Sequence, residues 1–330
     1  MAGVSRREFL GKAGVGSAAA GFLLANGVTV RANPLGLPIG SQAYPHRARI
    51  AAGDFAGLLK DMKSIGIEVV ELCNPTYADF KILADGKQTR KILDDSGIKC
   101  LSAHFQMAAL RADHQRQIDW ALALGMTQMN TASIQGQVIN GVTSLDAVKR
   151  AADEYNKIGA VARKAGLQQV THNEGFENSR LDDGRLTYPV LLQYLDPDLV
   201  KMQFQMSSMR TIGDPAQYFT MYPGRFISAH LQGVNLEAPM PAPRGMPMPI
   251  RQTAPPADAA GAGRGARAAG AAGGRAGGQG GGGGLALGED TVDWVKVFTA
   301  AKIGGMKNYF VEQAWDITVR SVAFLKTLNV

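Results

Sequence analysis

The most regular feature of this chain is a helix-like stretch that ends at a glycine and is followed by a short apolar run. The pattern occurs six times, and each run closes on polar residues: Ile67–Cys73, Ile98–His104, Met126–Ala132, Leu167–Glu174, Arg225–His230 and Met306–Glu312. Glycine directly after a helix is typical of a left-handed C-cap. The runs are too short for second helices and suit buried parallel strands. The repeat therefore predicts a parallel α/β sheet, open or closed.

Two further apolar runs complete eight strand–helix units, with strand one near Leu37–Tyr44 and strand six near Val200–Met206. The clearest helical period lies in Ser144–Ala165, where Ser144 is the predicted N-cap. Thr291 is the predicted cap of the helix over Val292–Ile303. The predicted fold is α/β: a single-domain (β/α)8 TIM barrel over residues 33–330, with a long low-complexity loop after strand seven.

The first 32 residues stand outside this pattern. Ser5-Arg6-Arg7-Glu8-Phe9-Leu10 is a twin-arginine pattern, and an apolar stretch and small residues at a cleavage site follow it. Residues 1–32 are therefore predicted to be a twin-arginine signal peptide, with export to the periplasm or beyond the cell. The protein would contact the membrane only transiently, through this export signal. An uncleaved anchor or a chance arginine pair is the alternative, but the stretch is short for a spanning helix.

Residues 237–284 are the second exception, and they consist almost entirely of Gly, Ala, Pro, Met and Arg. Such a composition cannot bury enough apolar surface to order itself, so the insert is predicted to be disordered. Without the signal and the insert about 250 residues remain, which is the usual size of a (β/α)8 barrel.

The net charge of +7 does not indicate a nucleic-acid partner. The signal carries four basic residues and one acidic, and the insert carries five basic and two acidic. The barrel itself is left at about +1, so no basic face is implied.

The two cysteines, Cys73 and Cys100, fall in predicted core strands. They are interpreted as small buried hydrophobic residues. A disulfide is the alternative in an oxidising compartment, and sequence alone cannot place the two Cα atoms.

Predicted strands five to eight end in Glu174, Gln205, His230 and Glu312. The carboxyl ends of barrel strands meet at one edge, so these side chains could converge on a divalent cation. Carboxylate, amide and imidazole ligands suit Mn²⁺, Mg²⁺, Co²⁺ or Zn²⁺. Each residue also has an ordinary explanation, since a strand-end His is often just hydrogen-bonded and a strand-end Glu often pairs with a neighbouring strand.

The C-terminal two-thirds of the chain resembles the sugar phosphate isomerase/epimerase family, which comprises xylose isomerase-like TIM barrels. Thr171–Glu177 resembles the family's His-Asn-His-x-Phe-Glu segment, and Tyr222–His230 resembles its Tyr-x-Gly-Arg-Ile-x-x-x-His. Leu287–Trp294 resembles its Gly-Glu-Gly-x-x-Asp-Trp. The closing segments Tyr309–Gln313 and Ser321–Lys326 resemble its Val-Glu-x-Asp and Ser-x-x-Tyr-Leu-Lys. The motifs are specific for the superfamily but weak for the substrate.

The resemblance implies a metal held by Glu174, Gln205, His230 and Glu312, and proton transfer by Glu174 and Glu312. Gln205 departs from the family's aspartate, which makes the expected site formally neutral instead of −1. Metal affinity should then fall and Lewis acidity should rise. Gln232-Gly233 also replaces the family's Lys-Asp, which puts the usual sugar substrate in doubt.

Five further residues are candidates for substrate contact. The set consists of Glu71 on strand two, His104 at the end of strand three, His172 beside Asn173, His46 beyond strand one and Trp315 after strand eight. A strand-end His could bind a hydroxyl and a Trp could stack on a sugar ring, while packing is the commoner use of Trp.

The expected function is that of an enzyme, a metal-dependent isomerase or epimerase. It would abstract a proton next to a carbonyl of a sugar or sugar derivative and stabilise the enediolate. A lyase that eliminates the glycosidic group from a 3-keto-glycoside is one alternative, and a non-catalytic sugar-binding barrel is another. The expected partner is a small-molecule sugar and not a nucleic acid, and the oligomeric state stays open, a homo-oligomer included.

Overall fold

The computed structural model describes residues 33–238 and 284–330. The predicted signal peptide and all but the ends of the predicted insert lie outside these residues, so both remain predictions. None of the helices in the described ranges combines the length and the apolar character that crossing a bilayer requires.

Eight parallel strands close into a barrel in which each strand lies beside its neighbours in sequence and the first pairs with the last. The strands are β1 Gly40–Gln42, β2 Val69–Cys73, β3 Lys99–Phe105, β4 Gln128–Thr131, β5 Gln168–His172, β6 Val200–Gln205, β7 Phe226–Leu231 and β8 Phe310–Val311. The predicted (β/α)8 fold is therefore confirmed. All six glycines of the repeat have a positive φ, and Gly97 and Gly305 are left-handed C-caps as the pattern predicts.

One main helix follows each strand and packs on the outside of the barrel. The helices are α1 Phe55–Ser64, α2 Gly86–Ser96, α3 His114–Ala123, α4 Leu145–Lys164, α5 Thr187–Tyr194, α6 Pro215–Met221, α7 Trp294–Gly304 and α8 Trp315–Leu325. Ser144 caps α4 as predicted, because its hydroxyl accepts a hydrogen bond from the Ala147 amide at 3.2 Å. The α7 prediction was wrong by two residues: Asp293 caps this helix, while the Thr291 hydroxyl accepts from the Leu236 amide at 2.8 Å.

Short elements occupy the connections. Helical turns cover Arg47–Ala51, Met107–Ala112 and Met209–Ile212, and 3₁₀ turns cover Pro34–Gly36, Tyr44–His46, Ala78–Leu83, Phe176–Asn178 and Met206–Ser208. A small parallel sheet joins Val142–Thr143 to Arg180–Leu181. It links the loops after β4 and β5, both on the side of the barrel where the strands end.

The apolar core lies between the strands and the surrounding helices. Phe204 of β6 and Phe226 of β7 are fully buried and contact Tyr218 and Phe219 of α6, with ring centroids 5.6–5.8 Å apart. The core is unusual in carrying a second, polar set of side chains that is equally buried. Its hydrogen-bonded members are Gln42, Glu71, Ser102, His104, Asn130, Gln203, Ser228 and His230. Barrel interiors are usually filled by Val, Ile and Leu.

Candidate functional site

Four polar residues meet where adjacent strands end. Gln205 is the last residue of β6, and its register partner on β7 is His230. Glu174 comes two residues after β5 and Glu312 directly after β8. Because parallel strands present their carboxyl ends at one edge, neighbours in this order face one another.

The Gln205 amide joins the two carboxylates. Its Nε2 donates to Glu174 Oε1 and to Glu312 Oε2, each at 2.8 Å. Its Oε1 is buried and has no hydrogen-bond partner among the described residues. The backbone amide of Gln205 is fixed by Asn173 Oδ1 at 2.8 Å, which limits where this side chain can reach.

His230 lies between two carboxylates and is fully buried. Its Nε2 is 2.5 Å from Glu71 Oε1, and its Nδ1 is 3.2 Å from Glu312 Oε2. Burial alone would lower the pKa of His230, but Glu312 and Glu71 together raise this pKa to about 10. In the metal-free protein the His230 ring is therefore protonated on both nitrogens and carries a positive charge at neutral pH.

Both glutamates of the cavity floor are ionised at neutral pH. Burial would raise both pKa values. The neighbouring His172 and the hydrogen bond from Gln205 hold the pKa of Glu174 below the usual range, and the charge of His230 does the same for Glu312. The Glu174 side chain is 47% exposed and that of Glu312 is 14% exposed. Glu174 is thus the carboxylate that solvent and small molecules reach more easily.

Glu71 lies deeper than the sequence predicts. It is the third residue of β2, fully buried inside the barrel, and it does not line the cavity. Oε1 contacts His230 and His104, and Oε2 accepts from Ser102 Oγ at 2.5 Å and Gln203 Nε2 at 3.0 Å. Substrate contact therefore does not fit this position, which is a buried anchor beneath the site.

Three imidazoles lie together above Glu71. The His172 and His230 rings are 4.4 Å apart between centroids, and His104 lies 5.3 and 5.2 Å from them. His104 lines the cavity, and its Nε2 is 3.1 Å from Gln203 Oε1. Neither ring nitrogen of His172 has a hydrogen-bond partner among the described residues, and burial lowers its pKa.

A cavity of about 730 Å³ opens above this floor. Its lining includes His104, Glu174, Gln232 and Glu312 at the base and Tyr44 and Tyr77 on one wall. Two arginines also line it, but Arg111 pairs with Glu154 and Arg47 lies near Asp79 and over the Tyr44 ring. Among the described residues, both arginines that line the cavity therefore already interact with other side chains.

His46 and Trp315 do not reach the cavity, although the sequence predicts that they contact substrate. Their rings pack edge-on against each other at 5.8 Å. The cavity is lined instead by their neighbours Tyr44, Pro45 and Ala314. Both side chains thus have a packing role, which for Trp315 was the alternative that the sequence left open.

Several residues of the site escape sequence analysis because they are uncharged. Gln203 and Asn130 form hydrogen bonds with each other and with Glu71. Gln232 Nε2 donates a hydrogen bond to Glu312 Oε2 at 2.9 Å. Strand alternation offers a signal for Gln203, since it lies two residues before Gln205 and faces the same side of β6. Gln232, which follows β7, stands out in the sequence only as a departure from the lysine of the resembling family.

Cys73 and Cys100 are both free and buried. Burial raises the pKa of each thiol, so neither is a thiolate at neutral pH. The interpretation as small hydrophobic residues agrees with this placement.

Besides Glu71, Glu177 also has a buried carboxyl group, and it lies in the loop after β5. Its Oε1 accepts from the Gly175 amide at 2.7 Å, whereas Oε2 has no partner among the described residues. Burial raises the pKa of Glu177 to about 8. The folded state therefore binds this proton more tightly than the unfolded chain does.

The pKa of Glu177 predicts a pH-dependent stability. Because its pKa is higher in the folded state, the free energy of unfolding should fall as pH rises from 5 to 8, by at most about 1.4 kcal/mol per unit of pH. Glu177→Gln mimics the protonated acid and should flatten this slope. Urea unfolding at pH 5, 6.5 and 8 would measure it, with exposed Glu289→Gln as control. Equal slopes in Glu177→Gln and in the wild type would contradict the assignment.

Several solved structures share the fold of this chain. A sugar phosphate isomerase/epimerase from Parabacteroides distasonis matches with a TM-score of 0.63 and 17% identity, over 91% of this chain and 95% of that one. The probable 3-DHS dehydratase AsbF from Bacillus anthracis matches at 0.59 and 12%, over 89% and 100%. A D-tagatose 3-epimerase-like protein matches at 0.57 and 12%, over 88% and 96%.

At these identities the matches show a shared fold. No family model matches the chain, and no curated protein does. The neighbours in structure are thus xylose isomerase-like TIM barrels, several named as isomerases or epimerases.

Proposed function

We propose that this protein is a metal-dependent isomerase or epimerase of a sugar or sugar derivative. The observation that carries the proposal is the pair of ionised carboxylates, Glu174 and Glu312, bridged by one amide nitrogen at the floor of an open cavity. The shared fold supports it, since the neighbours in structure include proteins named as sugar isomerases and epimerases.

The residues at the floor fit a divalent cation. Gln205 Oε1 and His172 are buried without hydrogen-bond partners in the described chain, which is costly unless a further group binds there. Glu174, Gln205, His230 and Glu312 would hold the ion with oxygen and nitrogen ligands. A bound divalent ion would polarise a substrate oxygen and stabilise negative charge that develops on it.

The chain's own residues would move the proton. Glu174 is ionised, half-exposed and at the base of the cavity, so it can take a proton from the carbon next to a carbonyl. Glu174 can return this proton to the neighbouring carbon. Alternatively Glu312, on the other side of the Gln205 amide, can take a proton from water and deliver it to the opposite face of the same carbon, while Glu174 releases its proton to water. Return from the opposite face inverts the carbon, and return to the neighbouring carbon isomerises the sugar.

The substrate we propose carries no phosphate. The two arginines of the described cavity wall already pair with carboxylates or aromatic rings, and Gln232 stands where the resembling family has lysine. The test is a panel of unphosphorylated ketoses, aldoses and keto-glycosides incubated with metal-loaded enzyme in D₂O. Deuterium incorporation at carbon, followed by NMR, would support proton abstraction, and its absence across the panel would count against it.

A lyase is the second candidate, and the size of the cavity favours it. Its 730 Å³ lies in the upper half of the roughly 300–1,000 Å³ range of ligand pockets, which leaves room for the second group of a glycoside. Loss of the C2 proton of a 3-keto-glycoside with departure of the C1 substituent gives an enone and an alcohol. Release of that alcohol would separate the lyase from the epimerase. A protein that takes up no metal and exchanges no proton would be a sugar-binding barrel instead.

We expect Gln205→Asp to tighten metal binding while it weakens the metal-free protein. The substitution removes both amide hydrogen bonds and places a third carboxylate beside Glu174 and Glu312, which should cost about 1–3 kcal/mol of stability without metal. With metal present the added charge becomes a direct ligand. Mn²⁺ titration and melting with and without metal would measure both effects.

Gln232→Glu is the matched control for this test, because Gln232 also donates to Glu312 but is not a predicted ligand. Equal gains in affinity for both variants would mean that the effect is one of overall charge. Unchanged affinity in Gln205→Asp would argue against Gln205 as a ligand.

A further inference from the structure

His172 is a buried polar side chain whose hydrogen-bonding groups are not satisfied by the described residues. It is the last residue of β5, its side chain is completely buried, and neither ring nitrogen has a hydrogen-bond partner among the described residues. Each unsatisfied buried polar group costs about 1–3 kcal/mol. An apolar residue would avoid this cost, so the position indicates that a further group binds the ring.

The surroundings of His172 identify what that group must be. Nε2 is 3.8 Å from Glu174 Oε2, too far for a hydrogen bond. Ligand atoms of His172, Glu174 and Glu312 nevertheless all lie within 4.8 Å of one another. Two ligands of one Zn²⁺ ion, each at about 2.0–2.2 Å, lie at most about 4.4 Å apart. The spacing between His172 and Glu174 thus suits a cation that both contact.

His104 shows the contrast. It belongs to the same group of imidazoles, but its Nε2 is already 3.1 Å from Gln203 Oε1 and 3.1 Å from Glu71 Oε1. Its ring is held by the network below the site. His172 has no such contacts in the described chain and is the imidazole left to bind an ion.

We infer that His172 is a direct ligand of the cation, beside Glu174, His230 and Glu312. This inference rests on the metal site of the proposed function and changes its chemistry. With His172 the ligands are two imidazoles, two carboxylates and the Gln205 amide oxygen, and the second imidazole favours Zn²⁺ or Co²⁺ over Mg²⁺, which prefers oxygen ligands. The second imidazole also offsets the ligand strength that Gln205 loses relative to an aspartate.

The test uses full-length protein freed of metal by chelation. Zn²⁺ and Co²⁺ affinities are measured by calorimetry for the wild type and for His172→Phe, which keeps an aromatic ring but offers no nitrogen. Loss of even an outer partner of a ligand lowers affinity about 10–100-fold, so loss of a direct ligand should exceed about 10-fold. Pulsed electron paramagnetic resonance of the Cu²⁺ form should count two imidazoles in the wild type and one in His172→Phe.

His104→Gln is the matched control and should keep two imidazoles on Cu²⁺. Metal-free His172→Phe should melt no lower than the wild type, because it removes unsatisfied buried nitrogens. Should that variant fail to fold, His172→Gln replaces it and should likewise leave one imidazole on Cu²⁺. Wild type that binds metal with an unchanged count and affinity in the variant would overturn this inference alone. Wild type that binds none of these metals would overturn it together with the proposed metal site.

Discussion

Glu174→Gln and Glu312→Gln should each lower turnover by at least about 10²–10⁴-fold, the usual contribution of a positioned acid or base. Each amide keeps the size of the side chain but can neither take a proton nor carry the charge that a cation requires. Both residues meet at the Gln205 amide, so neither is expected to replace the other. The loss should appear in kcat, because proton transfer itself is removed.

The measurement is the initial rate of deuterium exchange on the substrate that the panel identifies, together with metal content and the melting temperature. Glu289→Gln is the matched control, since Glu289 pairs with Arg320 on the exposed surface and such pairs contribute about 0–1 kcal/mol. It should keep wild-type rates. Near-wild-type turnover in either site variant would show that the carboxylate concerned does not move the proton.

The barrel could be predicted because its signal is local and repeated. A helix, a glycine and a buried strand follow one another six times, and each glycine has the positive φ that the pattern requires. Ser144 could be placed as a cap for the same reason, since its hydroxyl needs only the next turn of helix. Thr291 was placed wrongly because Leu236, distant in sequence, uses its hydroxyl. That competition arises only after the chain folds.

The strand-end residues could be grouped by the same argument, because parallel strands that close into a barrel bring their ends together. The sequence could not predict how deep inside the barrel each of these side chains lies. Glu71 was a candidate for substrate contact, yet three further strands supply donors that hold it inside the barrel: Ser102 of β3, Asn130 of β4 and Gln203 of β6. Glutamine and asparagine carry no distinctive pattern, so this network becomes visible only in three dimensions.

The largest effect on stability is expected at Glu71. Its carboxylate is fully buried and contacts six side chains: Gln42, Ser102, His104, Asn130, Gln203 and His230. Burial would raise the pKa of Glu71, but the charges and hydrogen bonds of His104 and His230 hold this pKa well below its usual range. Removing one partner of a buried charged pair costs about 3–5 kcal/mol, because the other partner is left uncompensated.

Glu71→Gln should therefore lower the free energy of unfolding of the metal-free protein by about 3–5 kcal/mol. The loss should depend on pH in a defined direction. The lowered pKa of Glu71 stabilises the fold above a pH of about 4.5, and the raised pKa of His230 stabilises it fully below about 6.5. The difference from the wild type should thus be largest between pH 4.5 and 6.5 and shrink as pH rises toward 10.

Urea unfolding in the presence of a chelator, at pH 5.5, 7.5 and 9, would measure this difference. Glu68→Gln is the matched control: Glu68 lies just before β2, is only half-buried and should change stability by less than about 0.5 kcal/mol. A loss in Glu71→Gln that is the same at all three pH values would show that Glu71 acts through packing and neutral hydrogen bonds. A loss that shrinks as pH rises would show that the charge of Glu71, from beneath the site, holds the protonated His230 in place.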